Sequence, residues 1–241
     1  VPPVVKPKTA KTPVIDKEIA TIEGDIKSIT QDITHSRAAI HADHTPRTFS
    51  QGSGHMTGVD QKSVEISAQF PDVVKRFTGV STHNYTTEKG GKLSAEYIKK
   101  YGVKEGKDTG DFVGNLRWRT TQNVKDHDVT LYFGDMNSRG AILTRNVAVQ
   151  EGKPFLANPT KAEIEEFMNA NPKIKSVNIG GRRASGDIGG VYTKAVEKEW
   201  GGYLQMVREG TGIKYTPNRI GKGKGQTDLK PNQVLVASTN L

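Results

Sequence analysis

Residues 115–150, NLRWRTTQNVKDHDVTLYFGDMNSRGAILTRNVAVQ, carry the reading that decides the fold class. Leu116, Trp118 and Thr120 alternate with Arg117, Arg119 and Thr121. Val129, Leu131 and Phe133 alternate with Thr130 and Tyr132, and a third apolar run covers Ala141 to Val149. Such alternation marks a half-buried strand, because successive strand side chains point to opposite faces. Turn-forming residues separate the runs at 123–128 and 134–140. The stretch reads as a three-stranded antiparallel meander with one face buried. The fold class expected is therefore α+β: an N-terminal extended arm and an Ile-heptad helix, then a domain with an antiparallel sheet and several short helices. In this reading Trp118 is core and Arg117 and Arg119 are solvated, which removes the case for base stacking on a basic sheet.

On the C-terminal side, Asn158-Pro159-Thr160 opens a helix. Thr160 and Glu163 form a capping box, and Ile164, Phe167 and Met168 share a face. A strand over 173–179 and a helix over 191–208 follow, the helix bent at Gly201-Gly202. Between them lies a glycine-rich stretch, 180–190, that includes Arg182 and Arg183. Backbone amides and guanidinium groups between a strand and a helix can cradle an anion. The spacing matches neither common phosphate-loop pattern. Lys222 and Lys224, in the run Gly221 to Gly225, lack a following Ser/Thr and helix. Arg182, Arg183, Lys222 and Lys224 are thus candidates for contact with an anion or an acidic partner, not for nucleotide hydrolysis.

On the N-terminal side, 64–70 reads as a strand, Pro71-Asp72 opens a short helix, and a further helix runs over 94–101 with Gly102 past its end. Residues 41–63 are polar and aperiodic and read as a linker. Their His41, Asp43, His44 and His55 fit no metal-ligand spacing. Residues 1–13 are a Pro/Lys-rich extended arm. The domain boundaries expected are 1–13, 14–40, 41–63 and 64–241.

Residues 14–40 hold the most specific pattern in the chain. Ile15, Ile19, Ile22, Ile26, Ile29, Ile33 and Ile40 follow steps of 4, 3, 4, 3, 4 and 7, interrupted only at Ser36. That is a heptad seam with Ile at both core positions, which favours trimers or larger assemblies over dimers. Thr21, Gly24, Thr30 and Thr34 are poor helix formers, so the helix needs a partner. The flanks Asp16, Glu18, Glu23, Asp25 and Asp32 are acidic. They would oppose one another in a parallel bundle, so the partner is either copies of the chain, another structural protein with a less acidic surface, or the chain's own domain.

Charge is unevenly spread. Residues 171–241 hold 12 Lys/Arg against 5 Asp/Glu, which accounts for 7 of the 9 excess positive charges. This favours an acidic partner there, nucleic acid or an acidic protein surface. The chain has no cysteine, so thiolate catalysis and Cys-based zinc sites are excluded. No apolar run reaches the length of a membrane span. No serine lies in a nucleophile elbow. Asp126, His127 and Asp128 read as a solvated turn, and Glu163 with Glu165 as helix-start acids. No catalytic residue, metal site or cofactor is expected. The function expected is a non-enzymatic assembly protein of a virus or phage particle, with a start at Val1 in place of Met fitting proteolytic maturation. The alternative is an oligomeric nucleic-acid-binding protein using the basic last third.

Overall fold

The computed structural model describes residues 19–31 and 46–211. The arm, Ile15, Ile33, Ile40, Lys222 and Lys224 lie outside the described residues. The chain divides into two compact units, 1–45 and 46–241. In the first, residues 19–31 are helical throughout and form α1.

The second unit is built on one five-stranded sheet, and every strand pairing in it is parallel. The strands are β1 (Phe49–Ser53), β2 (Val74–Phe77), β3 (Val129–Phe133), β4 (Phe155–Ala157) and β5 (Ser176–Gly181). Their spatial order is β2-β1-β5-β3-β4. The helices are α2 (Val59–Ser67), α3 (Ala95–Tyr101), α4 (Phe112–Lys125), α5 (Arg139–Gln150), α6 (Lys161–Ala170), α7 (Val191–Val196) and α8 (Gly202–Glu209). A π-helical turn, Glu197–Gly201, joins α7 to α8.

The antiparallel α+β expectation is therefore overturned, and α4 and α5 are the reason. Residues 116–121 and 141–149, read as strands, lie in helices, Phe112–Lys125 and Arg139–Gln150, with side-chain caps at Asp111 and Ser138. Helical crossovers return the chain to the same sheet edge, which makes the next strand parallel. Residues 64–70 also belong largely to a helix, α2, and 74–77 form a strand where a short helix was expected. The segment read as a linker contains β1, a central strand.

Both faces of the sheet are covered, and the period of two along each strand sorts the side chains. Val129, Leu131, Phe133, Leu156, Val177 and Ile179 join Ile66, Ile164, Met168, Val196, Trp200 and Leu204 in the large core. That core packs α2, α6, α7 and α8 on one face. Tyr132, Phe155 and Ala157 point the other way, onto Val124 of α4 and Ala141, Val147 and Ala148 of α5. A third cluster seats α3 through Tyr101, with Val64, Leu93 and Val103. Trp200 is fully buried and its Nε1 donates to Ser67 Oγ at 2.8 Å.

Placing β5 ahead of β1 in the strand count turns the order into 3-2-1-4-5, the doubly wound arrangement. The sheet is a doubly wound one whose first strand is supplied last in sequence. In such sheets, ligands bind beyond the carboxyl ends of the strands, where the winding direction reverses. Here that point lies between β5 and β3.

Two contacts on the polar sheet face carry testable weight. His127 is buried; it pairs through Nδ1 with Asn123 O and through Nε2 with Thr78 Oγ1, both at 2.7 Å. Its ring lies over Gly52, where an added Cβ would meet His127 Cε1 at 2.1 Å. Gly52→Ala is expected to cost about 1–3 kcal/mol of stability, read as a lowered midpoint in urea unfolding. Asp128, at the entry to β3, accepts from the amides of Lys175 (2.8 Å) and Ser176 (2.9 Å) at the entry to β5. Partial burial pushes its carboxyl up, but these two amides and the Ser176 hydroxyl outweigh that and hold it below 3.8. A depressed carboxyl stabilises the fold above its unfolded value and loses that contribution as pH falls through the folded value. Asp128→Asn is expected to flatten the loss of stability below about pH 4, measured by denaturant midpoints across the acid range.

Candidate functional site

A cavity of about 890 Å3 opens at the carboxyl edge of the sheet. Gly54 and Met56 follow β1, Ser138, Arg139 and Gly140 follow β3, and Gly180 to Arg183 with Ser185 and Gly186 end β5 and continue past it; all contribute to its lining. This is the reversal point identified from the strand order. α4 supplies the opposite wall.

The floor is fixed by a buried ion pair. Asp60, in the first turn of α2, accepts from Arg119 Nη1 at 3.2 Å through Oδ2. The same oxygen accepts from the Met56 amide at 3.2 Å, and Oδ1 from the Gly181 amide at 3.2 Å. Arg119 Nη1 also donates to Gly54 O at 2.7 Å. Burial pushes the Asp60 carboxyl up, and Arg119 with the Met56 and Gly181 amides pulls it back. Burial likewise lowers the guanidinium, opposed by Asp60. Arg119 Nε is buried with no protein partner. A buried donor of this kind calls for an acceptor, and Arg119 lines the cavity from which a ligand can supply one.

The loop after β5 is locked from outside. Gly58, at a φ of +100°, bridges Arg183, and an added Cβ would meet Ala184 N and Arg182 O at 2.5 Å. Only glycine fits there. Glu88 accepts from Ser185 Oγ (2.8 Å), Ser185 N (3.2 Å) and Thr57 Oγ1 (2.9 Å). Arg182 Nε donates to Gly186 O at 3.0 Å, which curls the loop over its own side chain.

The loop after β3 delivers the start of α5. Asn158, at a φ of +45°, brackets Gly134: its Oδ1 accepts from Gly134 N at 2.8 Å and its Nδ2 donates to Gly134 O at 3.0 Å. Ser138 caps α5 by accepting from Ala141 N at 3.2 Å. The positive end of the helix dipole at Ser138 to Gly140 is thereby presented to the cavity.

The result is a polarised cavity. Arg117, Arg119, Arg139, Arg182 and Arg183 line it, and Asp60 is the one carboxylate among the described lining residues. Phe112, Val113 and Leu116 of α4 and Ile142 and Leu143 of α5 add an apolar wall. Phe112, Val113 and Ile142 are 38%, 56% and 38% exposed, so this wall is not closed by the protein's own packing.

Of the residues singled out from the sequence, Arg182 and Arg183 reach this site. Lys222 and Lys224 lie outside the described residues. Ile19, Ile22, Ile26 and Ile29 belong to the other unit. The solvated-turn reading of 126–128 fails at His127, which is buried. His55, read as a solvated loop residue, is also buried. Burial and then the Arg119 charge push it down to about 3, and its Nδ1 lies 3.3 Å from Tyr97 Oη. Asp60, Ser138 and Arg139 were missed and Arg119 was expected to be solvated, because a linker reading of 41–63 and strand readings of 116–121 and 141–149 hide the cavity they share. Among the described residues no cluster with the makeup of a metal site occurs, and no helix is long and apolar enough to cross a membrane.

The pair at the floor gives a direct test. Asp60→Leu strands Arg119 in the interior, and a loss of about 3–5 kcal/mol is expected. The double variant Asp60→Leu/Arg119→Met is expected to recover part of it, since the Met56 and Gly181 amides still lack their acceptor. Urea unfolding of the two variants checks both statements.

Comparison with known proteins accords with this geometry. Residues 52–198 match the family described as "Circularly permutated YpsA SLOG family". The strand order found here, with β5 in the place of a first strand, is one that a circular permutation produces. The fold is similar to the crystal structure of a protein from Syntrophus aciditrophicus, provisionally named a molybdenum carrier protein. The match has a TM-score of 0.51 at 24% identity and covers 69% of this chain and 98% of that one. No curated protein sequence matches the chain. These findings overturn the virus or phage particle assignment: residues 52–198 match a family of another kind, and the fold they carry is a doubly wound parallel sheet.

Proposed function

The chain belongs to the circularly permutated YpsA SLOG family, and from that premise we propose that it binds a small phosphorylated ligand with a flat apolar body, a nucleotide or nucleotide derivative, in the cavity between β5 and β3. The observation that carries the proposal is the polarity of the cavity. Five arginines, a glycine-rich loop and the start of α5 line it, together with exposed apolar side chains of α4 and α5. Phosphate oxygens match the first feature, because charge-assisted and bidentate hydrogen bonds from Arg are short and strong. A base ring matches the second, since Phe112, Val113, Leu116, Ile142 and Leu143 offer surface that gains by being covered.

The proposal is for binding, without a reaction. Asp60 has both oxygens committed to the Arg119 pair and to backbone amides. It is therefore poorly placed to take or give a proton to a ligand. The name of the Syntrophus protein raises a bare oxyanion such as molybdate as the rival ligand. An oxyanion would use the arginines and leave the apolar wall uncovered, and that difference can be measured.

Titration calorimetry of the full chain with ADP and with molybdate separates the two. ADP is expected to bind with negative heat-capacity change, the mark of apolar burial. Arg182→Ala and Arg139→Ala are each expected to weaken ADP by about tenfold to a hundredfold, the range of a lost hydrogen bond to a charged group. Lys198→Ala, on the π turn and away from the cavity lining, is expected to leave it unchanged. Tight binding of molybdate with no response to ADP would overturn the nucleotide reading in favour of an oxyanion.

A further inference from the structure

Arg119 commits only one corner of its guanidinium to the floor of the cavity. Its Nη1 donates to Asp60 Oδ2 at 3.2 Å and to Gly54 O at 2.7 Å. Among the described residues its Nε and Nη2 have no hydrogen-bond partner, and Nε is buried. A guanidinium is flat, and Nε–H and one Nη2–H lie side by side along one edge as a fixed fork. Asp60 and Gly54 hold the corner, and the fork is left over. The side chain is 13% exposed and lines the cavity, so the group is not sealed in the interior. A buried donor without an acceptor is costly, and an acceptor brought by a ligand removes that cost.

A fork of this kind takes two oxygens of one carboxylate or phosphate group. The surroundings favour phosphate. Burial lowers the Arg119 guanidinium, Asp60 raises it, and the charge of Arg183 lowers it again. Five arginines line the cavity against one carboxylate, and that carboxylate is already on Arg119. A phosphate monoester brings a charge of about −1.5 to −2 at neutral pH and three acceptor oxygens, two for the fork and one for a neighbouring donor. Position sets which phosphate of a ligand it is. Arg119 stands at the floor, so the group that reaches it is the end of the ligand. A phosphate inside a chain is esterified on both sides, and the rest of the ligand would have to continue past the floor.

We propose that the Nε–Nη2 edge of Arg119 is the receptor for a terminal phosphate monoester, so that the cavity selects ligands ending in a free phosphate over dinucleotides, whose phosphates are internal. The inference rests on the nucleotide reading of the cavity and names the end of the ligand that enters first. Asp60 gains a role without touching the ligand. By holding Nη1 it fixes the plane of the guanidinium and the direction of the fork, which makes it a positioning residue.

The test follows the Nε–Hε resonance of Arg119 in the isotope-labelled full chain, assigned through its side-chain carbons. ADP is expected to move the Hε signal to lower field and to slow its exchange with water. Adenosine and NAD at the same concentration are expected to leave it in place. In calorimetry, ADP is expected to bind about tenfold or more tightly than NAD. Arg119→Lys keeps a cation for Asp60 but has no fork, and is expected to weaken ADP by about tenfold to a hundredfold. A purely structural role would weaken ADP in the variant without moving the Hε signal of the unaltered chain. That result would overturn the proposal and leave the nucleotide reading standing, as would NAD binding as tightly as ADP. The resonance of the unaltered chain decides the matter where the Lys variant fails to fold. If ADP moves no resonance while molybdate moves Hε, the nucleotide reading falls and with it the choice of a phosphate monoester. If neither moves Hε, the fork is not a receptor.

Discussion

Asp60 and Arg119 tie together the β1–α2 loop, the first turn of α2, the end of β5 and α4. The carboxylate takes hydrogen bonds from the β1–α2 loop at Met56, from the end of β5 at Gly181 and from α4 through Arg119. The guanidinium returns one to Gly54, just past β1. A buried ion pair is a weak source of net stability, because desolvation offsets most of the attraction. Its value here is positional. It fixes where β1 and β5 release their chains and how far α4 stands from them, and that distance is the cavity.

The permuted order of the sheet makes this fixing necessary. In an unpermuted doubly wound domain, the glycine-rich loop follows the first strand and is built early in the chain. Here the corresponding loop follows β5, and β1 pairs beside it from the other end of the sequence. The contact is sealed by local devices: Gly58 against Arg182 and Ala184, Val59 N donating to Arg182 O at 3.1 Å, and Glu88 on Ser185. The loop, the start of α5 and Arg119 then line one volume, in which Asp60 is the one carboxylate among the described lining residues; Asp135 and Glu88 approach Arg182 and Arg183 at 4.0 and 3.9 Å.

Parts of this were legible in the sequence. β3, the capping box of α6, the end of α3 at Gly102 and the strand–glycine–helix run from 176 to 209 all follow from local chemistry. β1 was not legible because, apart from Phe49, its buried side chains Gln51 and Ser53 are polar. Gln51 is satisfied by Ser63 at 3.0 Å and by Ser67, which in turn receives Trp200. α4 was hidden for the opposite reason. Its apolar residues Phe112, Val113 and Leu116 face the cavity, while Asn115 and Asn123 are buried. For α5 a signal existed: Ala141, Thr144, Val147 and Ala148 recur at helical spacing, and Ser138 is a cap. Reading that run as a helix turns the β3–β4 connection into a crossover and the sheet parallel. Arg182 and Arg183 were legible as part of a loop between a strand and a helix, but their neighbours across the cavity were not, because those depend on the fold.

The central claim is that one cavity, set by the Asp60–Arg119 pair, takes the anionic end of a ligand at the β5 loop and α5 start and its apolar body on α4. Amide chemical shifts of the isotope-labelled chain, recorded during titration with ADP, test this directly. The account predicts saturable shifts at residues 180–186 and 138–141, with a second set along 112–120 that inorganic phosphate does not produce. Shifts confined to other parts of the chain, or the same pattern with inorganic phosphate alone, would contradict it.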